Sequence, residues 1–84
     1  MKSESELEAI LARERDRLVS RSDGSQRWRH LKSGNEYVVR GVALAEATLT
    51  PVVIYSPYYG PLVWTRPADE FHEKFTPITR ESVK

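Results

Sequence analysis

Pro51-Val52-Val53-Ile54-Tyr55-Ser56-Pro57-Tyr58-Tyr59-Gly60-Pro61-Leu62-Val63-Trp64-Thr65-Arg66-Pro67 is the stretch whose reading decides the fold. Two runs rich in β-branched and aromatic side chains, residues 51–55 and 62–66, flank a turn punctuated by Pro57, Gly60 and Pro61. That pattern predicts two antiparallel strands, with Pro51 at a first position where its missing N–H does least harm. Pro67 then suits the start of a short helical turn. Asp69 and Glu70 fall in the first turn, where carboxylates complement the helix dipole, and Phe71 and Phe75 face the core. A last strand is expected near residues 76–79.

Upstream, Ser33-Gly34-Asn35 is a turn signal leading into Glu36-Tyr37-Val38-Val39-Arg40. Gly41 interrupts a strand that resumes as Val42-Ala43-Leu44, which predicts a bulge or a sharp bend. Residues 28–31 open the β region. Residues 20–26 are polar, contain Gly24 and lack periodicity, and they read as a linker.

Residues 3 to about 20 read as a helix. Ser5 and Glu8 fit a capping box, and Leu7, Ile10, Leu11 and Leu18 fall on one stripe at helical spacing. Glu14 interrupts that stripe. Either it reaches water at the edge of a shallow contact, or it meets a basic partner on the β domain or on a second copy of the chain. An isolated helix of this length is marginal in water, so the stripe must pack on something. The organisation predicted is an amphipathic helix over residues 1–20, a linker over 21–27 and a small β domain over 28–84. The fold class is α+β, mainly β: a bent antiparallel sheet or small SH3-like barrel preceded by a helix.

Composition narrows the chemistry. The chain has 84 residues, one domain near the lower size limit for an unaided core. It has no cysteine, which removes disulfides, thiolate metal sites and cysteine nucleophiles. The opening residues are too acidic for a signal peptide, and no apolar run approaches membrane length, so the cytoplasm is the expected location. Net charge is +1, with six basic and six acidic residues in 1–27 and seven and six in 28–84. A protein that grips a phosphate backbone normally shows a basic excess on one face, and the totals show none.

Residues 28 to about 75 resemble a bacterial family known as Domain of Unknown Function family 1653. The resemblance is carried by Trp28-Arg29-His30, Gly34 with Tyr37, Gly41-Val42-Ala43, Thr48-Leu49, Pro51-Val52-Val53-Ile54-Tyr55, Tyr59-Gly60, and Trp64-Thr65-Arg66-Pro67 with Phe71. Where the family usually has a His and then an acidic residue, this chain has Ala45 and Ala47 around Glu46. The resemblance implies a small β domain and brings no reaction, ligand or catalytic residue with it.

The residues singled out for function are Trp28, Arg29, His30, Tyr55, Tyr58, Tyr59, Trp64 and Arg66. Interleaved rings and guanidinium groups stack on planar ligands and grip carboxylates or phosphates. The alternative is that Trp28, Trp64 and Tyr55 are core, that Arg66 pairs with Glu36, Asp69 or Glu70, and that one of the two turn tyrosines folds back. His30 is expected to be a hydrogen-bonded strand residue and His72 to face solvent. Neither belongs to a metal motif, and no cofactor is expected.

Three functions follow in order. The first is a binding or adaptor module for a protein or peptide, through the aromatic and arginine face. The second is a nucleic-acid-associated module, which requires Arg27, Arg29, Lys32, Arg40 and Arg66 to gather on one face. The third is an enzyme acting through His30 and Arg66 with Glu46. Self-association through Leu7, Ile10, Leu11 and Leu18 is a further expectation.

Overall fold

In the computed structural model, which describes residues 2–79, helix α1 (Glu4–Ser22) leads into strands β1 (Arg27–His30), β2 (Glu36–Ala45), β3 (Thr50–Ser56) and β4 (Trp64–Pro67). A short helix α2 (Ala68–Lys74) and strand β5 (Phe75–Pro77) follow. The strands form one sheet in the order β4-β3-β2-β1-β5, with every neighbouring pair antiparallel. The sheet is open, so the barrel alternative does not hold. β4 and β5 lie at opposite edges, joined by α2 instead of by main-chain hydrogen bonds. Both edge strands are short and end in a proline, Pro67 and Pro77, which has no N–H to extend a ladder.

The β2–β3 hairpin carries the expected bulge. Val39 pairs with Tyr55 and Gly41 with Ile54, so Arg40 is the extra residue. Gly34, at φ 77, makes the β1–β2 turn in the left-handed region that favours glycine. β4 begins at Trp64, later than expected: Leu62 and Val63 have strand-like side chains but lie outside the sheet, and the β3 register ends at Tyr55 opposite Trp64.

Both helices meet the same sheet face. Trp28, Val39, Val53 and Tyr55 from the strands, Leu18 from α1 and Ala68, Phe71 and Phe75 from the α2 region form one core. Phe71 and Phe75 stack at 4.3 Å between ring centroids, and Trp28 and Tyr55 tilt against Phe71 at 5.1 and 5.5 Å. In a domain of this size such aromatic contacts dominate the buried surface.

The helix ends differ from the sequence reading. The N-cap is Ser3, whose hydroxyl accepts from the Glu6 N–H at 3.3 Å and faces Glu6 Oε1 at 3.3 Å, so Ser3 and not Ser5 caps the helix. The C-terminal end runs to Ser22, two residues into the stretch read as a linker. Asp23 (φ 55) and Gly24 (φ 81) stop it, and both of their N–H groups bond to the Val19 carbonyl. Ser22 is buried and donates to the Leu18 carbonyl.

Candidate interaction surface

Most of the exposed large apolar side chains among the described residues lie in the loop between β3 and β4 and at the first residue of β4. Tyr59 is 90% exposed, Leu62 57%, Val63 58% and Trp64 47%, within six consecutive residues beside an edge strand. Large apolar side chains scattered singly are normal on a surface, but a contiguous set of them marks a contact site. Gly60, at φ 97, turns the loop so that Tyr59 projects.

A polar network steadies the base of this loop. The Tyr58 hydroxyl donates to Glu36 Oε1 at 2.7 Å and accepts from Arg27 Nε–H at 2.7 Å. Glu36 also accepts from Arg27 at 3.1 Å and from Arg29 at 3.2 Å. The Tyr58 hydroxyl first, then Arg29 and Arg27, hold the Glu36 carboxyl below the ordinary glutamate range. The two turn tyrosines therefore differ: Tyr58 is anchored to β1 and β2 through this network, and Tyr59 stands free of the fold.

The other residues read as a binding face separate. Trp28 is fully buried and Tyr55 nearly so, because both point into the core between the sheet and α2. They leave the surface set, and Trp64 alone remains of its two tryptophans. Arg66 lies along the Phe75 ring at 5.5 Å, donates to the Tyr55 hydroxyl at 3.3 Å and pairs with Glu70 at 3.0 Å. Arg29 sits on the opposite sheet face: it pairs in register with Glu36, whereas Arg66 pairs in register with the buried Val53. His30 packs against Phe75 at 4.9 Å, with Nδ1 at 2.8 Å from the Ser33 hydroxyl. No carboxylate contacts it among the described residues. Along α1, Leu18 joins the core while Leu7, Ile10 and Leu11 are half-buried, and the helix packs against β2 and β3.

A second arrangement was not foreseen in the sequence. His72 is buried, contrary to the expectation that it faces solvent. Its Nε2 lies 2.7 Å from Glu14 Oε2, and both side chains are 4% exposed. The guanidinium of Arg21 is 2.7 Å from His72 Nδ1 and also donates to the His72 carbonyl at 3.2 Å. Arginine only donates, so Nδ1 accepts and Nε2 carries the proton it gives to Glu14. Burial pushes the His72 pKa down, with Arg17 and Arg21 acting in the same direction and Glu14 opposing them. Arg17 links the seam outward, 3.5 Å from Glu14 and 2.8 Å from Asp69. Glu14 thus meets a partner on the chain's own second helix. The signal was present in the spacing: Ala68, Phe71, His72 and Phe75 share one face of α2, so His72 stands on an apolar stripe as Glu14 does on α1.

Among the described residues, no group of three or more histidine, aspartate and glutamate side chains is arranged to hold a metal ion, and no helix is long and apolar enough to cross a membrane. Neither the search of curated proteins nor that of solved structures returns a match. The family described as "Protein of unknown function (DUF1653)" matches residues 26–82, the whole of the strand region together with α2, and leaves α1 outside. The chain belongs to that family.

Proposed function

We propose that this protein is a binding module that holds an extended, apolar segment of a protein partner on β4 and the loop leading into it. The single observation that carries this reading is the exposure of Tyr59, Leu62, Val63 and Trp64 next to an unpaired sheet edge. Peptides that add to a sheet edge gain affinity from main-chain bonds and specificity from pockets for alternate side chains. Pro67 shortens the usable edge, so the exposed side chains supply most of the contact here. Anchoring of Tyr58 by Glu36 and Arg27 orders the loop before binding, which lowers the entropic cost of capture.

A nucleic-acid role draws less support. Arg27 and Arg29 are engaged by Glu36, Arg66 by Glu70, and Arg66 lies on the other sheet face. Catalysis through His30 lacks a carboxylate partner, and the histidine that has one is sealed from solvent.

The test is selection from a displayed library of unstructured peptides, followed by amide-resolved NMR titration of the labelled chain with the peptides recovered. The reading expects peptides rich in apolar residues, shifts confined to residues 59–66 and the Trp64 indole, and at least about tenfold weaker binding by a Leu62→Ser, Val63→Ser variant. Salt-sensitive shifts at Trp64 and Arg66 with a single-stranded oligonucleotide pool, and none with peptides, would replace it with the nucleic-acid reading.

A further inference from the structure

A groove of about 260 Å³ runs between the second half of α1 and the bulged part of β2, remote in sequence from the apolar loop. Its two charged lining residues are both arginines, Arg15 on α1 and Arg40 on β2, and no acidic residue lines it. Arg17, Arg27, Arg29 and Arg66 each have a carboxylate partner. Arg15 makes no hydrogen bond or ion pair among the described residues. Arg40 spends only its Nε–H, on the Ser56 hydroxyl at 2.9 Å, which leaves its two terminal nitrogens unengaged.

Two features of β2 bear on this groove. The bulge makes Arg40 the residue without an opposite number, and bulges commonly re-aim a side chain beside a functional site. Gly41 follows it with a φ outside the left-handed region, so its backbone does not demand glycine. A Cβ built there meets nothing within 4 Å. Gly41 pairs in register with Ile54, on the sheet face opposite Val42 and the buried Val53, so its bare backbone is what borders the groove beside Val42 and Val19.

We infer that this groove binds a small organic carboxylate, with its apolar body against Val19, Gly41 and Val42 and its carboxylate held by Arg15 and Arg40. Guanidinium groups hold carboxylates through paired charge-assisted hydrogen bonds, and two of them without a carboxylate partner beside the apolar wall of one groove match an anion with an apolar tail. The volume is below the usual range of about 300–1,000 Å³ for small-molecule sites, which restricts the ligand to a short-chain or single-ring acid. α1 lies outside the family match, so the site is built jointly by the family domain and a segment beyond it.

The experiment is an NMR titration of the full labelled chain with benzoate and hexanoate, with benzyl alcohol and inorganic phosphate as half-probes of body and charge. Saturable shifts at Val19, Gly41 and Val42 are expected for an acid, at a Kd of about 1 mM or tighter. Arg15→Gln, on an exposed helix position, weakens them about tenfold. Arg40→Gln, at the exposed bulge position, weakens them by a similar factor and leaves the remaining spectrum folded. Shifts that do not saturate, that are unchanged in Arg15→Gln and Arg40→Gln, or that phosphate or benzyl alcohol reproduces at equal strength would overturn the assignment.

Discussion

The seam between α1 and α2 and the loop before β4 distribute polarity in opposite ways. At the seam, a carboxylate and an imidazole lie inside, sealed between two helices. At the loop, a leucine, a valine and a tryptophan each leave about half of their surface outside the core. Burying a polar group costs free energy unless it is hydrogen-bonded, and the seam meets that condition at both imidazole nitrogens. Exposed apolar side chains have no such internal remedy; their burial awaits a partner. The seam is therefore an internal joint that ties a helix outside the family match to the family domain, while the loop is a surface for something else.

The largest expected effect tests the joint. His72→Ala leaves Glu14 buried without its donor and should cost about 3 kcal/mol in chemical denaturation, with Glu14→Ala costing a similar amount. The double variant Glu14→Leu, His72→Leu replaces the pair by apolar groups. It should return to within about 1 kcal/mol of the original chain, well short of the sum of the two single losses. Additive losses would mean that the two residues act separately.

A smaller effect lies in the pH dependence. The folded chain holds the His72 pKa below its ordinary value, mainly through burial. The unfolded chain takes up that proton near pH ~6.5 and the folded chain only at lower pH. The unfolded state thus binds more protons in between, and stability falls as pH drops from about 6.5 through the folded pKa. The groups facing the imidazole, Glu14, Arg17 and Arg21, are all on α1. The slope should vanish in the double leucine variant, which isolates it from His30 and the carboxylates elsewhere. An equal slope in both proteins would place the titration at another group.

The smallest effect on stability belongs to the loop. Leu62→Ser and Val63→Ser should change the unfolding free energy by no more than about 0.5 kcal/mol, because neither side chain packs on the core. A loss several times larger would show that the loop is part of the fold, and the contrast with the seam would then fail.

Much of the architecture was legible in local pattern. The β3 run, the Ser33-Gly34-Asn35 turn, the irregularity at Gly41 and the Pro67 start of α2 each depend on backbone preferences that neighbours in sequence settle. Strand alternation likewise put Trp64 and Arg66 on one face. What alternation could not say is how that face ends: Trp64 sits at an edge and stays exposed, whereas Arg66 is drawn over Phe75 towards Tyr55 and Glu70. Trp28 and Tyr55 were candidates for a surface because their residue type suits both roles; α2 crossing the sheet decided for the core.

The sequence by itself determined the helix, the order of strands and turns, the family, and the presence of one polar residue on each helical stripe. Helical and β periods and turn chemistry act over a few residues, so one chain segment contains all the information they need. Tertiary structure alone decided that Glu14 and His72, 58 positions apart, are each other's partner. It also decided that the sheet stays open, and that α1 and the bulge at Arg40 enclose a groove. Those outcomes depend on which faces meet across long stretches of chain, where burial and hydrogen-bond satisfaction are settled together by the whole fold.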